Sequence, residues 1–179
     1  MKVRIDHIRD TTRELSFSEP VESFSILMAM AEAGECSFAG PVLTRLTAGR
    51  EGDHYRVEGT VSVRLHQTCS RCLAAFEQEL CSRFTIFFRE GAPQAEDEEE
   101  VELEEQDLIS ATFTGEEIDL LPEIGEQVAL AVPAKPLCAE QCKGLCPICG
   151  IDLNKEMCNC SRESLNLKFA ALQDFKVQR

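Results

Sequence analysis

The most regular pattern along the chain is an alternation of apolar and polar residues between Tyr55 and Leu65. Odd-numbered positions in this stretch carry Tyr, Val, Gly or Leu, and even-numbered positions carry Arg, Glu, Thr or Ser. A period of two predicts a strand with one buried face. A shorter alternation from Val42 to Leu46 predicts an antiparallel neighbour, which is joined through the turn-rich segment 48–53.

A second long alternation follows Cys72 with the opposite parity. From Phe76 to Phe88 most of the large apolar residues occupy even-numbered positions, while charged residues occupy several of the odd ones; the apolar residues are Phe76, Leu80, Phe84, Ile86 and Phe88. This pattern predicts a strand that returns along the first. Cys69 and Cys72 are therefore expected at the tip of a hairpin between the two strands.

Three stretches have apolar residues at the spacing of a helix. Residues 20–34 predict a short amphipathic helix, and a second helix is expected from Pro122 until Pro133 stops it. The segment 165–175, with Asn166 as a plausible cap, predicts a closing helix that packs on the core. Together with the strands, these helices predict an α+β fold with an antiparallel sheet, packed helices and a C-terminal cysteine-rich module.

The charge of the chain is concentrated in one region. Of 179 residues, 32 are acidic and 18 are Lys or Arg, which gives a formal net charge of −14. Fifteen of the acidic residues and no Lys or Arg lie between Glu90 and Ala134, most densely at 96–107. We interpret 90–117 as an acidic loop, and a docking arm for a basic partner is the alternative. Such acidity argues against a broad surface that follows nucleic-acid phosphates.

The chain offers no obvious targeting signal. Its first 17 residues mix charged and apolar side chains, and no apolar run approaches the length of a membrane span. We therefore expect a cytoplasmic protein. In that compartment thiols stay reduced, so ten cysteines are more suited to binding metal than to forming disulfides.

Eight of the ten cysteines occur in close pairs, and two tetrahedral sites need four pairs. The pairs are Cys69 with Cys72, Cys138 with Cys142, Cys146 with Cys149, and Cys158 with Cys160. Only eight residues separate the last two pairs, so loop closure favours joining them around one ion. The other two pairs are then expected to share a second ion. Cys36 and Cys81 have no near partner and are interpreted as small buried apolar residues.

Zinc is the metal that we expect at both sites, with iron as the alternative. Closely spaced thiolates are typical of structural zinc, although four cysteines also bind iron and "CPICG" resembles half of a rubredoxin site. Closed sites of this kind leave no position for water, which argues against an enzyme. His7, His54 and His66 are scattered and are interpreted as surface or turn residues.

Several stretches together resemble a known family. They are "CSRCLAAFEQEL", "EIDLLPEIGEQVALAVPAKPLCAEQCKGLCPICGIDLN" and the closing "CNC". The chain is similar to the YceD-like family of large ribosomal RNA subunit accumulation proteins from about residue 57 to 175. The family motifs fall on Cys69, Arg71 and Cys72, on Ile118 to Leu120, and on Cys142 to Gly150. The resemblance implies a role in accumulation or processing of 23S ribosomal RNA, and it implies no catalytic residue.

Two functional hypotheses follow from these patterns. The first is a non-enzymatic, zinc-stabilised factor that acts on the large ribosomal subunit precursor or its proteins; direct contact with RNA is left open. The second is a redox or electron-transfer protein that uses the cysteine pairs with iron or as a dithiol. We expect residues 1–134 to form the α+β domain and 135–179 to form a zinc module packed on it as one unit.

Overall fold

The fold is seen in a computed structural model that describes residues 1–34, 36–91 and 110–160. Its strands are β1 Lys2–Arg4, β2 Arg13–Glu19, β3 Ser37–Phe38, β4 Val42–Glu51, β5 His54–Thr68, β6 Ala75–Glu90, β7 Ser110–Phe113 and β8 Glu117–Asp119. Its α-helices are α1 Ile5–Ile8, α2 Ser25–Glu32 and α3 Leu121–Ala131. The predicted α+β class is thereby confirmed.

The main sheet is built around the two longest strands. Its order is β2-β4-β5-β6-β7, with β3 also paired to β5. All pairs in this sheet are antiparallel except β6 with β7, which is parallel. A second, two-stranded sheet joins β1 to β8. The sheet is thus antiparallel apart from one edge strand.

The long hairpin has the faces that its alternation predicts. In β5, Val57, Val61 and Leu65 are at most 2% exposed, whereas in β6 the buried residues are even-numbered, with Phe88 at 1%. The register pairs Thr68 with Ala75, so the turn between the strands contains Cys69 and Cys72. One strongly buried face therefore runs along the hairpin up to the two cysteines at its tip.

Helices α2 and α3 pack against each other, and α3 also packs across β5 and β6. Gly125 of α3 permits the close approach, because a Cβ at this position would lie 3.0 Å from Ile26 Cγ2 and 3.3 Å from Phe24 Cδ1. The last residue of α3 is Ala131, just before the predicted stop at Pro133. Ile124 and Val128 are fully buried beneath this helix.

The helix predicted over 20–34 is divided in the structure. A single 3-10 turn covers Val21–Ser23, and α2 begins at Ser25. Between them Phe24 has an extended backbone, and its side chain is 2% exposed. The chain therefore leaves the helical path at the residue that places an aromatic ring in the core.

Several predictions fall wholly or partly outside the described residues. The densest acidic stretch, 96–107, and the closing helix at 165–175 both lie there. The segment 90–117 that the sequence suggested as an acidic loop includes β7 near its carboxyl end. The proposed division at residue 134 stays a prediction.

Cys81 corrects one prediction from the sequence. It was expected to be buried together with Cys36; Cys36 is buried, but Cys81 is exposed. Cys81 has an odd number, and the odd-numbered positions of β6 lie on the face away from the core. The position of Cys81 in the alternation of the strand therefore decides its exposure, although its side chain is small and apolar.

Candidate metal centres

The tip of the β5–β6 hairpin is a tight turn that presents two thiols. The Leu73 N–H donates to the Cys69 carbonyl at 2.9 Å, and the Cys69 N–H donates to the Ala74 carbonyl at 2.9 Å. Leu73 has a φ of 60°, the left-handed conformation that a branched side chain seldom adopts. This backbone places Cys69 and Cys72 side by side, with 0% and 8% of their surface exposed.

The segment after α3 is fastened to this tip by hydrogen bonds. The Ser70 N–H and Oγ–H both donate to the Pro136 carbonyl, at 2.9 and 2.7 Å. The Arg71 guanidinium donates to the Cys142 carbonyl at 2.9 Å. These contacts hold Cys138 and Cys142, which follow α3 in the sequence, beside the hairpin tip.

The inner cluster consists of Cys69, Cys72, Cys138 and Cys142, and its four sulfur atoms all lie within 4.8 Å of one another. Sγ of Cys69 is 3.8 Å from Sγ of Cys142, and Sγ of Cys72 is 3.6 Å from Sγ of Cys138. A tetrahedron with metal–sulfur bonds near 2.3 Å has sulfur–sulfur edges of about 3.8 Å. The spacing therefore fits four thiolates around one ion.

The outer cluster consists of Cys146, Cys149, Cys158 and Cys160, whose sulfur atoms also lie within 4.8 Å of one another. The Cys146 N–H donates to the Ile151 carbonyl at 2.8 Å, and the Gly150 N–H donates to the Cys146 carbonyl at 2.9 Å. Gly150 has a φ of 74°, as such a reversal of the chain requires. Each cluster has one exposed cysteine, but the other three are buried in the inner cluster, whereas only Cys146 is buried in the outer one, which therefore lies nearer to solvent.

Hydrogen bonds prepare one thiol of each cluster for ionisation. The backbone N–H groups of Cys138 and then Cys72 lower the pKa of Cys69 to about 6. Those of Cys149 and Ile148 lower the pKa of Cys146 to about 6. Amide donors stabilise the negative sulfur, so each cluster holds one thiolate near neutral pH.

Another thiol of each cluster holds its proton more tightly. The hydrogen bond to Cys72 raises the pKa of Cys138 to about 12, and the hydrogen bond to Cys149 raises the pKa of Cys160 to about 12. A cation that binds either cluster therefore displaces protons, because only thiolates act as metal ligands. The donor set suits a thiophilic divalent ion in a closed, four-coordinate site.

The structure brings together the same two sets of four cysteines that the spacing suggested. His7, His54 and His66 belong to neither cluster, and His7 and His66 are exposed. Sequence reasoning missed Asn154, whose Nδ2 lies 3.3 Å from Cys142 Sγ. Its only signal was its place in the loop between the two pairs of the outer cluster.

Fold and clusters together define a class of protein: an α+β domain whose hairpin tip and cysteine-rich tail form two sites that can hold metal ions. The family described as Large ribosomal RNA subunit accumulation protein YceD matches residues 57–176, which span both clusters. The chain belongs to this family. No solved structure shows significant similarity to it.

Curated relatives are found in plants and in mycobacteria. The chain is 25% identical over 158 residues to "Large ribosomal RNA subunit accumulation protein YCED homolog 1, chloroplastic" of Arabidopsis thaliana, covering 77% of the chain and 49% of the relative. The Zea mays protein of the same name is 24% identical over 142 residues, covering 67% and 48%. An uncharacterized Mycobacterium tuberculosis protein is 33% identical over 100 residues, covering 56% and 45%. The chain thus spans about half the length of these relatives.

Within the described residues, no helix is both long and apolar enough to cross a bilayer.

Proposed function

We propose that this chain is a non-enzymatic, zinc-binding factor for 23S ribosomal RNA accumulation and large ribosomal subunit biogenesis. The observation that carries the proposal is the family match over residues 57–176, which contains the hairpin and all eight clustered cysteines. The plant relatives carry the name of large ribosomal RNA subunit accumulation proteins. The role of the chain is then to bind the large-subunit precursor or its proteins in the cytoplasm.

Zinc is the metal that the donor set supports best. Four thiolates fill the coordination sphere of a tetrahedral ion. Zinc adopts this geometry in structural sites and has no redox chemistry. In this role the inner ion joins the hairpin tip to the segment after α3, and the outer ion folds the tail on itself. The ions act as structural crosslinks in a region with little apolar side-chain surface.

The number of sulfur donors in each cluster supports a binding role rather than catalysis. A catalytic zinc keeps one position for water or substrate, whereas each cluster here supplies four sulfur ligands. The net charge of −14 favours protein contacts, or contacts with limited RNA surface, over an extended phosphate-binding face. We therefore place the partner among the components of the large-subunit precursor.

The biological experiment is depletion and rescue in the source organism. Loss of the protein should lower the ratio of 23S to 16S ribosomal RNA and the amount of free large subunit on a sucrose gradient. The wild-type chain should restore both, and Cys72→Ser should fail to restore them. Cys81→Ser is the matched control, because Cys81 lies outside both clusters and is exposed. An unchanged 23S to 16S ratio after depletion would refute the proposal.

The metal experiment uses the chain purified without added metal. Elemental analysis should find two zinc ions per chain, and the solution should show no visible absorption. Iron with a red colour would instead support an electron-transfer protein, and a metal-free chain with a reversible disulfide would support a dithiol function.

A further inference from the structure

The two clusters are joined by a very short piece of chain. Cys142 of the inner cluster and Cys146 of the outer cluster are separated by three residues. Within this link the Leu145 N–H donates to the Arg71 carbonyl at 3.0 Å, and the Gly144 carbonyl accepts from the Leu153 N–H at 2.9 Å. The link therefore contacts the hairpin on one side and the loop of the outer cluster on the other.

Asn154 connects that loop directly to a sulfur atom of the inner cluster. Its Nδ2 donates to Cys142 Sγ at 3.3 Å, and its Oδ1 accepts from the Lys143 N–H at 2.8 Å. Asn154 lies between Cys149 and Cys158, inside the loop that the outer cluster closes. A residue held by one cluster thus hydrogen-bonds a sulfur of the other.

Asp152 holds Asn154 in this orientation. Its Oδ1 accepts from the Asn154 N–H at 3.0 Å and from Nδ2 at 2.8 Å. The two Nδ2 hydrogens are thereby shared between Asp152 and Cys142, so the amide has one preferred rotamer. Leu145 and Asp152 also form an isolated β-bridge, which ties the loop to the link between the clusters.

We propose that the two clusters form one coupled metal unit, in which occupation of the outer cluster strengthens metal binding at the inner cluster through the Asn154 hydrogen bond to Cys142. The inference rests on the metal binding in the proposed function. Four thiolates around a divalent cation carry a net charge of −2, and an N–H donor to sulfur stabilises that charge. When the outer ion closes the loop, Asn154 is already held in position. Its hydrogen bond to Cys142 then requires no further loss of conformational entropy.

The coupling is reciprocal. If the outer ion raises the affinity of the inner cluster by some factor, the inner ion raises the affinity of the outer cluster by the same factor. Asn154 is a positioning residue in this scheme, because it acts on the metal through Cys142. Partners of this kind typically change metal affinity by about 10- to 100-fold when they are removed.

The first test loads the full-length chain with cadmium-113 and records its NMR spectrum. Each cluster should give its own resonance, and Cys149→Ser identifies the outer one by its loss. Asn154→Ala should shift the inner resonance and leave the outer one nearly in place. Glu156→Ala is the matched control, since Glu156 is an exposed residue of the same loop between Cys149 and Cys158. An inner resonance unmoved by Asn154→Ala would overturn the proposal.

The second test is a double-mutant cycle on metal affinity at the inner cluster. Zinc binding is measured by chelator competition in the wild type, Asn154→Ala, Cys149→Ser and the combined variant. Each single variant should weaken the inner cluster by about 10-fold. The combined variant should be no weaker than Cys149→Ser, because both changes remove the same hydrogen bond.

The outcomes separate this inference from the proposed function. Two bound ions with additive effects in the cycle would overturn the coupling and leave the metal sites standing. A chain that binds no metal at either cluster would refute both. Circular dichroism of each variant checks that the sheet is still folded, so that a loss of affinity is not a loss of the protein.

Discussion

The sheet and the cysteine-rich segment of this protein are held together by different forces. The sheet and its helices share one hydrophobic core that includes Phe24, Val57, Phe88 and Ile124, all at most 2% exposed. A second, smaller cluster lies where the hairpin tip meets the cysteine-rich segment 132–160; it consists of Cys69, Cys72 and Cys142, with Phe76, Leu137 and Leu145 partly buried against them. The first region can be stable through apolar burial, whereas the second has little apolar core and carries cysteine clusters that could hold metal ions.

The difference identifies the region in which a bound metal ion would contribute most to order. Residues 132–160 contain no helix or named strand and are joined mainly by turns and backbone hydrogen bonds. A segment with so little buried apolar surface cannot offset the conformational entropy lost on ordering it. We expect metal removal to disorder mainly the cysteine-rich segment, and a core mutation to destabilise mainly the sheet.

The largest effect is expected from metal removal. A strong chelator should cause residues 136–160 to lose their ordered structure, because structural zinc contributes about 10–16 kcal/mol to folding in small modules. Hydrogen exchange read by mass spectrometry should show fast exchange there and continued protection in β4, β5 and β6. Equal loss of protection in the sheet would contradict the comparison, and reloading with zinc is the control.

A substitution in the core of the sheet should lower the stability of the sheet and leave metal binding unchanged. Phe88→Ala removes a ring that is 1% exposed, and a change of this kind costs about 3–5 kcal/mol of unfolding free energy. Zinc stoichiometry of the folded fraction should stay at two. Phe87→Ala is the matched control, because Phe87 lies on the other face of the same strand and is only partly buried. The measurement is urea denaturation followed by circular dichroism.

A pair of glycine substitutions isolates the contact between the regions. Gly144 and Gly150 have φ of 75° and 74°, so alanine costs about 1–2 kcal/mol of backbone strain at either position. A Cβ at Gly144 would also lie 3.0 Å from the Arg71 carbonyl oxygen, whereas at Gly150 nothing lies within 4 Å. Gly144→Ala should therefore speed zinc release more than Gly150→Ala. Equal rates would show that the Arg71 contact does not hold the regions together.

The smallest effect concerns a carboxyl group on α3. Burial, followed by repulsion from Glu126 and Asp119, raises the pKa of Glu123. The folded state then binds this proton more tightly than the unfolded state, so the charged form reduces stability at neutral pH. Glu123→Gln should raise the melting temperature slightly at pH 7. The gain should shrink as the pH falls below the folded pKa and vanish below the unfolded pKa. Glu126→Gln removes only one of the two repulsions and should give a smaller gain; an equal gain from it would contradict the assignment.

Local patterns in the sequence determined the buried faces of the long strands and the grouping of the cysteines. The opposite parities of 55–65 and 76–88 predict the buried faces of β5 and β6, because strand periodicity depends only on neighbouring residues. Four close cysteine pairs predict the two sets of four that the structure brings together, because loop closure favours joining the nearest pairs. Family motifs on the same residues agree with both patterns.

Tertiary structure alone decided the features that depend on distant contacts. The parallel pairing of β7 with β6 joins residues far apart in the sequence, such as Phe87 and Ser110, which no local period encodes. Arg71 reaches the Cys142 carbonyl, and Asn154 reaches the Cys142 sulfur, only after the hairpin tip and the tail have met. Hydrogen bonds of this kind depend on side-chain positions within a few tenths of an ångström, and residue spacing carries no such information.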